Sequence, residues 1–291
     1  MLIAPSDRID AYVGSTLASK DMKILTMRYG SRWKTARKLF HGILHINAAK
    51  TYVPYQSLES KQMLYEILEA PTDFFDSLKR YSGSLTAQMT YGWRTPDKHD
   101  PKMQLMYQSL DEYMRLNHAG FAAMADFFPV LRALPAFLMP TKAAAIRLFE
   151  EQKGLFLGHW YDVKRAIQNG TSKPCQAVDL ARLQEKEQFS DEEAAFLIGK
   201  AVSGRNVPSV GLTAAGNGLE AGADTTASAM YTFVQAMILY PEVQKKAQAQ
   251  ISSVCGNRLP EMEDFDDLPY IRCIMKETLR WLPTAILGAV V

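Results

Sequence analysis

An acidic residue beside two hydroxyl residues stands inside an otherwise apolar stretch of this 291-residue sequence. The run reads Ala221-Gly222-Ala223-Asp224-Thr225-Thr226. A glycine at this position lets a flat ligand approach the backbone closely, and Asp224 and Thr225 can relay protons to such a ligand. The alternative is a solvent-facing aspartate with two threonines bonded back to carbonyls of the preceding turn. The six residues alone leave both interpretations open.

A glutamate and an arginine form a second candidate, Glu277 and Arg280. Their spacing of three residues places carboxylate and guanidinium on one face of a helix. The pair can be a surface ion pair of little energetic value. It can instead be a buried pair that fixes a loop, which requires further partners to offset the desolvation of both charges.

Trp33 and Arg37 form a third candidate, one helical turn apart in a basic stretch. An indole N–H beside a guanidinium suits a buried carboxylate or a propionate, because arginine can make a two-pronged contact. The alternative is an amphipathic helix with a core tryptophan and a solvated arginine.

The elements that must position these residues are helices. Apolar residues recur at helical spacing almost throughout, and Pro and Gly punctuate the pattern. The sequence therefore predicts a mainly α domain of about ten helices with little or no sheet. Helices are expected from Ser31, over 53–68, 72–89, 102–127, 141–168 and 219–240, and from Pro241 and Pro269.

Composition excludes several classes of protein. The formal charge of +2 is too small to indicate a nucleic-acid-binding protein or a polybasic membrane-binding segment. The three cysteines (Cys175, Cys255 and Cys273) lie far apart, which argues against a zinc site or a disulfide framework. No Glu-x-x-His pair supports a di-iron bundle, and no glutamate follows His41 as a zinc protease requires. No run is long and apolar enough to span a bilayer, so we expect this chain to be cytosolic.

Taken together, the three candidates favour a functional interpretation over the structural alternative given for each. Trp-x-x-x-Arg, Ala-Gly-x-Asp-Thr-Thr about 190 residues later and Glu-x-x-Arg about 50 residues after that resemble the order found in cytochrome P450 enzymes. The flanking text LEAGADTTASAMYTFVQAMILYPEVQKKAQAQI and DFDDLPYIRCIMKETLRWLPTAILG is similar to the same superfamily, and closest to its fungal members in secondary metabolism.

The resemblance implies a single, partial P450-like helical domain over residues 1–291. It implies a heme-thiolate monooxygenase that uses heme (iron protoporphyrin IX), O2 and NADPH-cytochrome P450 reductase to oxidise an apolar small molecule. It also implies that the full-length relatives reside at the endoplasmic reticulum membrane.

The resemblance assigns roles residue by residue. Trp33 and Arg37 would hold heme propionates, Ala221 and Gly222 would line the heme and oxygen groove, and Asp224 and Thr225 would deliver protons for O–O cleavage. Glu277 and Arg280 would belong to a structural network beside the pocket.

Two departures from the family pattern qualify these roles. The axial cysteine thiolate that favours O–O cleavage in the family should follow Arg280 in a glycine-containing loop. None of Cys175, Cys255 and Cys273 has that context, so we expect this chain neither to bind heme stably nor to turn over. Removing residues 200–216 joins two helical patterns, which suggests a non-homologous insert, as a retained intron would produce.

The alternative function is a non-catalytic helical binding or interaction protein derived from such an enzyme. It would need no heme, and substitution of Thr225 or Arg37 would leave its behaviour unchanged.

Overall fold

The computed structural model describes residues 12–21, 29–30, 33–34, 50–118, 120–187, 191 and 212–284. In these ranges the protein contains nine α-helices of eight residues or more and no β-strand. The helices are α1 (Val53–Glu69), α2 (Phe74–Tyr91), α3 (Pro101–His118), α4 (Gly120–Phe127), α5 (Pro140–Gln168), α6 (Gln176–Glu187), α7 (Leu212–Leu239), α8 (Pro241–Cys255) and α9 (Pro269–Trp281).

Proline and glycine set several helix ends. Helices α5, α8 and α9 begin at proline, whose missing N–H is one of those that the first helical turn leaves unbonded. Helix α2 ends at Gly92, which adopts a left-handed conformation with φ 77°. Glycine takes this conformation without a steric penalty, so it can close a helix where other residues are strained.

The main core lies where α2, α3, α5, α6 and α7 meet. Trp160 of α5 is fully buried at its centre, with Met106 of α3 and Ala223 of α7 also buried in this cluster. The Trp160 indole donates a hydrogen bond to Asp191 Oδ1 at 3.1 Å, so its polar atom is satisfied. A smaller cluster of Met237, Ala247 and Ile274 joins α7, α8 and α9.

A buried group of charges links α1, α2 and the loop after α2. Arg80 and Glu59 are both fully buried and form an ion pair at 2.5 Å. The second Glu59 oxygen accepts hydrogen bonds at 2.7 Å from Arg94 and from Gln88. Arg80 also contacts Glu66 at 2.6 Å. The buried Glu59 carboxylate therefore has three donors, as a desolvated charge requires.

The predicted mainly α fold with little or no sheet is confirmed, and so is the existence of most elements. Two details differ: the pattern over 102–127 forms two helices, and α6 follows a loop where no helix was expected. Helix α7 begins at Leu212, so the last residues of the expected insert are helical. The rest of that insert and most of the helix expected from Ser31 lie outside the described residues. No helix among the described residues has the length and apolar character needed to cross a membrane.

Candidate functional site

The acid–hydroxyl pair lies on α7, which has a packed side and an open side. Ala223 and Ala227 are buried, whereas Asp224 is half-buried and Thr225 is exposed. A helix turns 100° per residue, so this alternation separates the side that packs in the core from the side that carries Thr225. The hydroxyl of Thr225 and the carboxylate of Asp224 are therefore placed where a ligand can reach them. Ala221 lies in the same helix, but its side chain is outside the described set.

Side chains from α2 and α3 hold the packed side of α7. Ser82 of α2 donates a hydrogen bond to the Gly222 carbonyl at 2.8 Å. The Tyr107 hydroxyl of α3 lies 3.4 Å from the Ala223 carbonyl and donates to the Lys79 carbonyl of α2 at 2.9 Å. Both α7 carbonyls belong to the turn that precedes Asp224 and Thr225, so the position of this pair depends on α2 and α3.

Gly222 has a different neighbour from the one expected. A Cβ atom at this position would lie 2.8 Å from both Cγ2 and Oγ1 of Thr86 on α2. Such a distance is too short for a real contact, so glycine is required for the close approach of the two helices. The structure thus gives Gly222 a role in helix packing, and the lining of a heme groove by Ala221 and Gly222 stays a prediction.

The Asp224 carboxylate also acts on Tyr107 electrostatically. Burial, and then the nearby Asp224 carboxylate, raise the pKa of Tyr107 far above its ordinary value. Both causes disfavour the charged phenolate. Tyr107 therefore keeps its proton at physiological pH and acts as a hydrogen-bond donor behind the acid–hydroxyl pair.

The tryptophan–arginine candidate is described in part. Trp33 is half-buried, and its ring lies 5.2 Å from that of Tyr29 with a tilt of 46°. The Lys34 ammonium lies 5.2 Å from the Tyr29 ring centre. Arg37 lies outside the described residues. The placement of a propionate between Trp33 and Arg37 stays a prediction.

The glutamate–arginine candidate forms its pair on α9. Arg280 donates to both carboxylate oxygens of Glu277, at 2.7 and 2.5 Å. Hydrogen bonding to Arg280 lowers the pKa of Glu277, and the same contact raises the pKa of Arg280. The side chains are 58% and 71% exposed, respectively, so water competes with the pair. Both residues line a groove of about 540 Å³ between α7 and α9, together with Cys273 and Trp281.

Whether the described residues can ligate a heme iron depends first on their three cysteine thiols. Burial raises the pKa of Cys175 and of Cys255, which disfavours the thiolate that binds iron. The Cys255 sulfur lies 3.7 Å from Asp264 Oδ2, a second cause of the raised pKa. Cys273 is exposed on α9 beside Glu277, away from the α7 turn that holds Thr225. Among the described residues no group of three His, Cys, Asp or Glu could hold a metal ion.

The described part of the site therefore forms one wall of a candidate pocket, the open side of α7, and contains no residue placed to bind a heme iron. It brings Asp224 and Thr225 to the open side of α7 and packs α9 against the same helix. It does not bring a cysteine thiolate to that wall. Sequence reasoning missed Ser82, Thr86 and Tyr107, which position the wall, because each acts on α7 from more than 110 residues away.

Comparison with known proteins gives consistent matches along the whole chain. The family model described as Cytochrome P450 matches residues 3–289. The chain is 42% identical over 283 residues to the cytochrome P450 monooxygenase fogE of Aspergillus ruber, covering 97% of this chain and 49% of that protein. It is 41% identical to the cytochrome P450 monooxygenase virE of Hypocrea virens, covering 97% and 48%. The chain thus spans about half the length of the curated relatives it matches.

The fold has a solved counterpart. A zebra fish cytochrome P450, in a structure with progesterone, aligns with a TM-score of 0.70 at 17% identity. The alignment covers 95% of this chain and 60% of the zebra fish chain. At this identity the match supports the helical architecture alone.

Proposed function

The chain belongs to the cytochrome P450 family, and from this premise we propose that it forms part of a heme-thiolate monooxygenase. The match of the family over residues 3–289 supports this class of reaction. The observation that carries the proposal is the two-sided α7, with Thr225 exposed and Asp224 half-buried on a helix whose other side is locked into the core.

In the proposed enzyme, the Asp224 carboxylate would take up a proton and the Thr225 hydroxyl would pass it on at the open side of α7. Both groups are suited to this task because a carboxyl group can take up and release a proton, and a hydroxyl can accept one hydrogen bond while it donates another. Ser82 and Tyr107 keep the relay in place through the Gly222 and Ala223 carbonyls. Trp33 and Arg37 are proposed to hold the heme propionates, and Glu277 with Arg280 to brace the pocket.

Heme, when bound in this family, supplies the iron at which O2 is activated, with a cysteine thiolate as ligand. The described thiols do not fit that ligand role, so we propose that the 291-residue chain alone does not form the thiolate-ligated complex. The proposed partners are O2, NADPH-cytochrome P450 reductase and an apolar small molecule. The proposed location of the whole protein is the endoplasmic reticulum membrane.

Two measurements test the proposal. Hemin is added to the purified chain, which is then reduced under CO; the expected spectrum lacks the red-shifted Soret band of a thiolate-ligated complex. The chain is next fused to the part of the Aspergillus ruber relative that has no counterpart here, and the fusion is expected to gain that band. Absence of the band from a folded fusion would contradict the assignment to a heme-thiolate enzyme.

The proton relay has its own test in the fusion protein. Thr225→Ala is expected to raise the peroxide released per NADPH consumed by roughly tenfold, because a misplaced proton relay diverts reduced oxygen from the substrate. Thr226→Ala, one position along α7, serves as the matched control and should leave this ratio unchanged. Equal ratios in both variants would remove Thr225 from the relay.

A further inference from the structure

The carbonyl oxygen of Gly222 on α7 accepts hydrogen bonds from two directions. Within α7, the hydrogen-bond pattern of an α-helix assigns to it the backbone N–H of Thr226, four residues further on. From α2, it accepts the hydroxyl of Ser82 at 2.8 Å. A carbonyl oxygen has two lone pairs, so these two donors leave the Gly222 carbonyl no capacity for a third.

The close approach of α2 to α7 allows Ser82 to reach this carbonyl. Ser82 is fully buried, and Thr86, one turn further along α2, lies directly against Gly222. The Thr86 hydroxyl donates to the carbonyl of Ser82 at 2.7 Å, so it does not compete for the Gly222 carbonyl. Ser82 therefore supplies the hydroxyl that α2 directs at this turn of α7.

The threonine hydroxyls of α7 are the local groups that an unfilled carbonyl on this turn would attract. A threonine in a helix divides between two rotamers, because its hydroxyl can bond the carbonyl three or four residues back. For Thr225 these two carbonyls belong to Gly222 and Ala221. For Thr226 they belong to Ala223 and Gly222. The Gly222 carbonyl is thus within the reach of both threonines.

Thr226 illustrates what filled carbonyls do to a threonine of this turn. Ser82 occupies the Gly222 carbonyl, and the Tyr107 hydroxyl lies 3.4 Å from the Ala223 carbonyl. Within the part of the chain that the structure describes, the Thr226 hydroxyl forms no hydrogen bond. Hydroxyls from α2 and α3 thus stand at both places where Thr226 would bond back to its own helix.

We propose that Ser82 is a positioning residue for the Thr225 hydroxyl. By filling the Gly222 carbonyl, Ser82 leaves Thr225 a single back-bonding carbonyl in its own helix, that of Ala221. One of the two helical rotamers of Thr225 is thereby removed, and the hydroxyl is held in one place at the open side of α7. The role rests on the proton relay proposed above, and Ser82 acts on that relay only through the α7 backbone.

NMR of the threonine methyl groups in the 291-residue chain tests the rotamer directly. Couplings between the Thr225 methyl carbon and the backbone nitrogen and carbonyl carbon report its χ1 angle. The native chain is expected to show the couplings of one rotamer. S82A is expected to shift them towards the average of two, because a lone pair of Gly222 becomes available. S82A/T226A also removes the competing hydroxyl and should shift them further.

Two variants separate the hydrogen bond from packing. S82C keeps a side chain in place but has a much weaker donor, so it should average the couplings as S82A does. S77A removes another buried hydroxyl of α2, which donates to the Asp73 carbonyl at 3.3 Å, and should leave the couplings unchanged. Any of three results would overturn the proposal: two rotamers in the native chain, native couplings in S82A or S82C, or equal averaging in S77A.

The fusion protein described above connects the rotamer with the relay. S82A is expected to raise the peroxide released per NADPH consumed by about threefold, the size of change that one neutral hydrogen bond produces. S77A should leave this ratio unchanged. A fusion that has the Soret band and keeps the native ratio in S82A would remove Ser82 from the relay without affecting the heme-thiolate assignment. A folded fusion without the band would contradict that assignment, and the Thr225 couplings would still decide whether Ser82 holds the hydroxyl.

Discussion

Two glutamate–arginine pairs of this protein have similar geometry and opposite surroundings. Glu59 and Arg80 are 21 residues apart, fully buried and 2.5 Å from each other. Glu277 and Arg280 are three residues apart, mostly exposed and equally close at 2.5 Å. The second pair has a motif spacing that sequence reasoning detects, and the first has none. Spacing within a helix therefore predicts which side chains meet, but it does not predict whether they are buried.

The surroundings decide what each pair contributes. Glu59 is fully buried and accepts bonds from Arg80, Arg94 and Gln88, so each donor offsets part of its desolvation. Glu277 and Arg280 lose little hydration when they meet, and their attraction is screened by solvent and salt. The buried pair should control stability, and any role of the exposed pair should appear only in a larger assembly.

The largest expected effect comes from removing one buried charge. Arg80→Met should lower the free energy of unfolding by about 3–5 kcal/mol, because Glu59 is left buried without its main counter-charge. Urea denaturation at pH 7 measures this difference. Arg280→Met, the matched control in the exposed pair, should leave the midpoint unchanged. Similar losses in the two variants would contradict the contrast between the pairs.

His159 extends the comparison to pH. Its pKa in the folded chain is lowered from the ordinary 6.5 to about 4, so the unfolded chain binds the proton more readily. The contribution of the neutral His159 to the free energy of unfolding is therefore fully present above pH 6.5. It is lost as the pH falls towards 4, by up to about 3 kcal/mol. Denaturation between these values should show a steeper loss in the native chain than in His159→Gln. His99→Gln, at an exposed histidine, should keep the native slope.

A smaller effect is expected where α2 meets α7. Gly222→Ala should destabilise the protein by about 1–2 kcal/mol, because the clash with Thr86 exceeds the gain in helix propensity. Thr86→Ala in the same chain should recover most of the loss, and thermal denaturation of the two single variants and the double variant measures this coupling. A loss that persists in the double variant would show that Thr86 is not the obstacle.

The smallest effect is expected at the exposed pair. A double-mutant cycle with Glu277→Gln and Arg280→Gln should give a coupling indistinguishable from zero in this chain at physiological salt. A coupling of about 3 kcal/mol, the size expected for a buried pair, would show that the exposed pair is structural by itself.

Much of the fold could be predicted because each helix leaves signals in its own stretch of the sequence. Proline at the start of α8 and α9 and the apolar spacing between are readable in one stretch of sequence. Helix α6 follows Cys175, which is not a usual capping residue, so its start gave no signal. The contacts of Gly222 with Thr86 and of Glu59 with Arg80 join positions that are distant in the sequence. A single sequence carries no local signal that predicts which distant residues will meet. Asp224, Thr225, Glu277 and Arg280 were named from their residue types and spacing, and their roles stay predictions; the side chains that hold α7 were not named.

The Tyr107 hydroxyl has one proton and two carbonyl oxygens within reach, at Lys79 of α2 and Ala223 of α7. It can donate to only one of them at a time, and its raised pKa keeps that proton in place. The single phenol of Tyr107 therefore links three helices, because it belongs to α3, bonds to α2 and lies against the α7 turn that precedes Asp224.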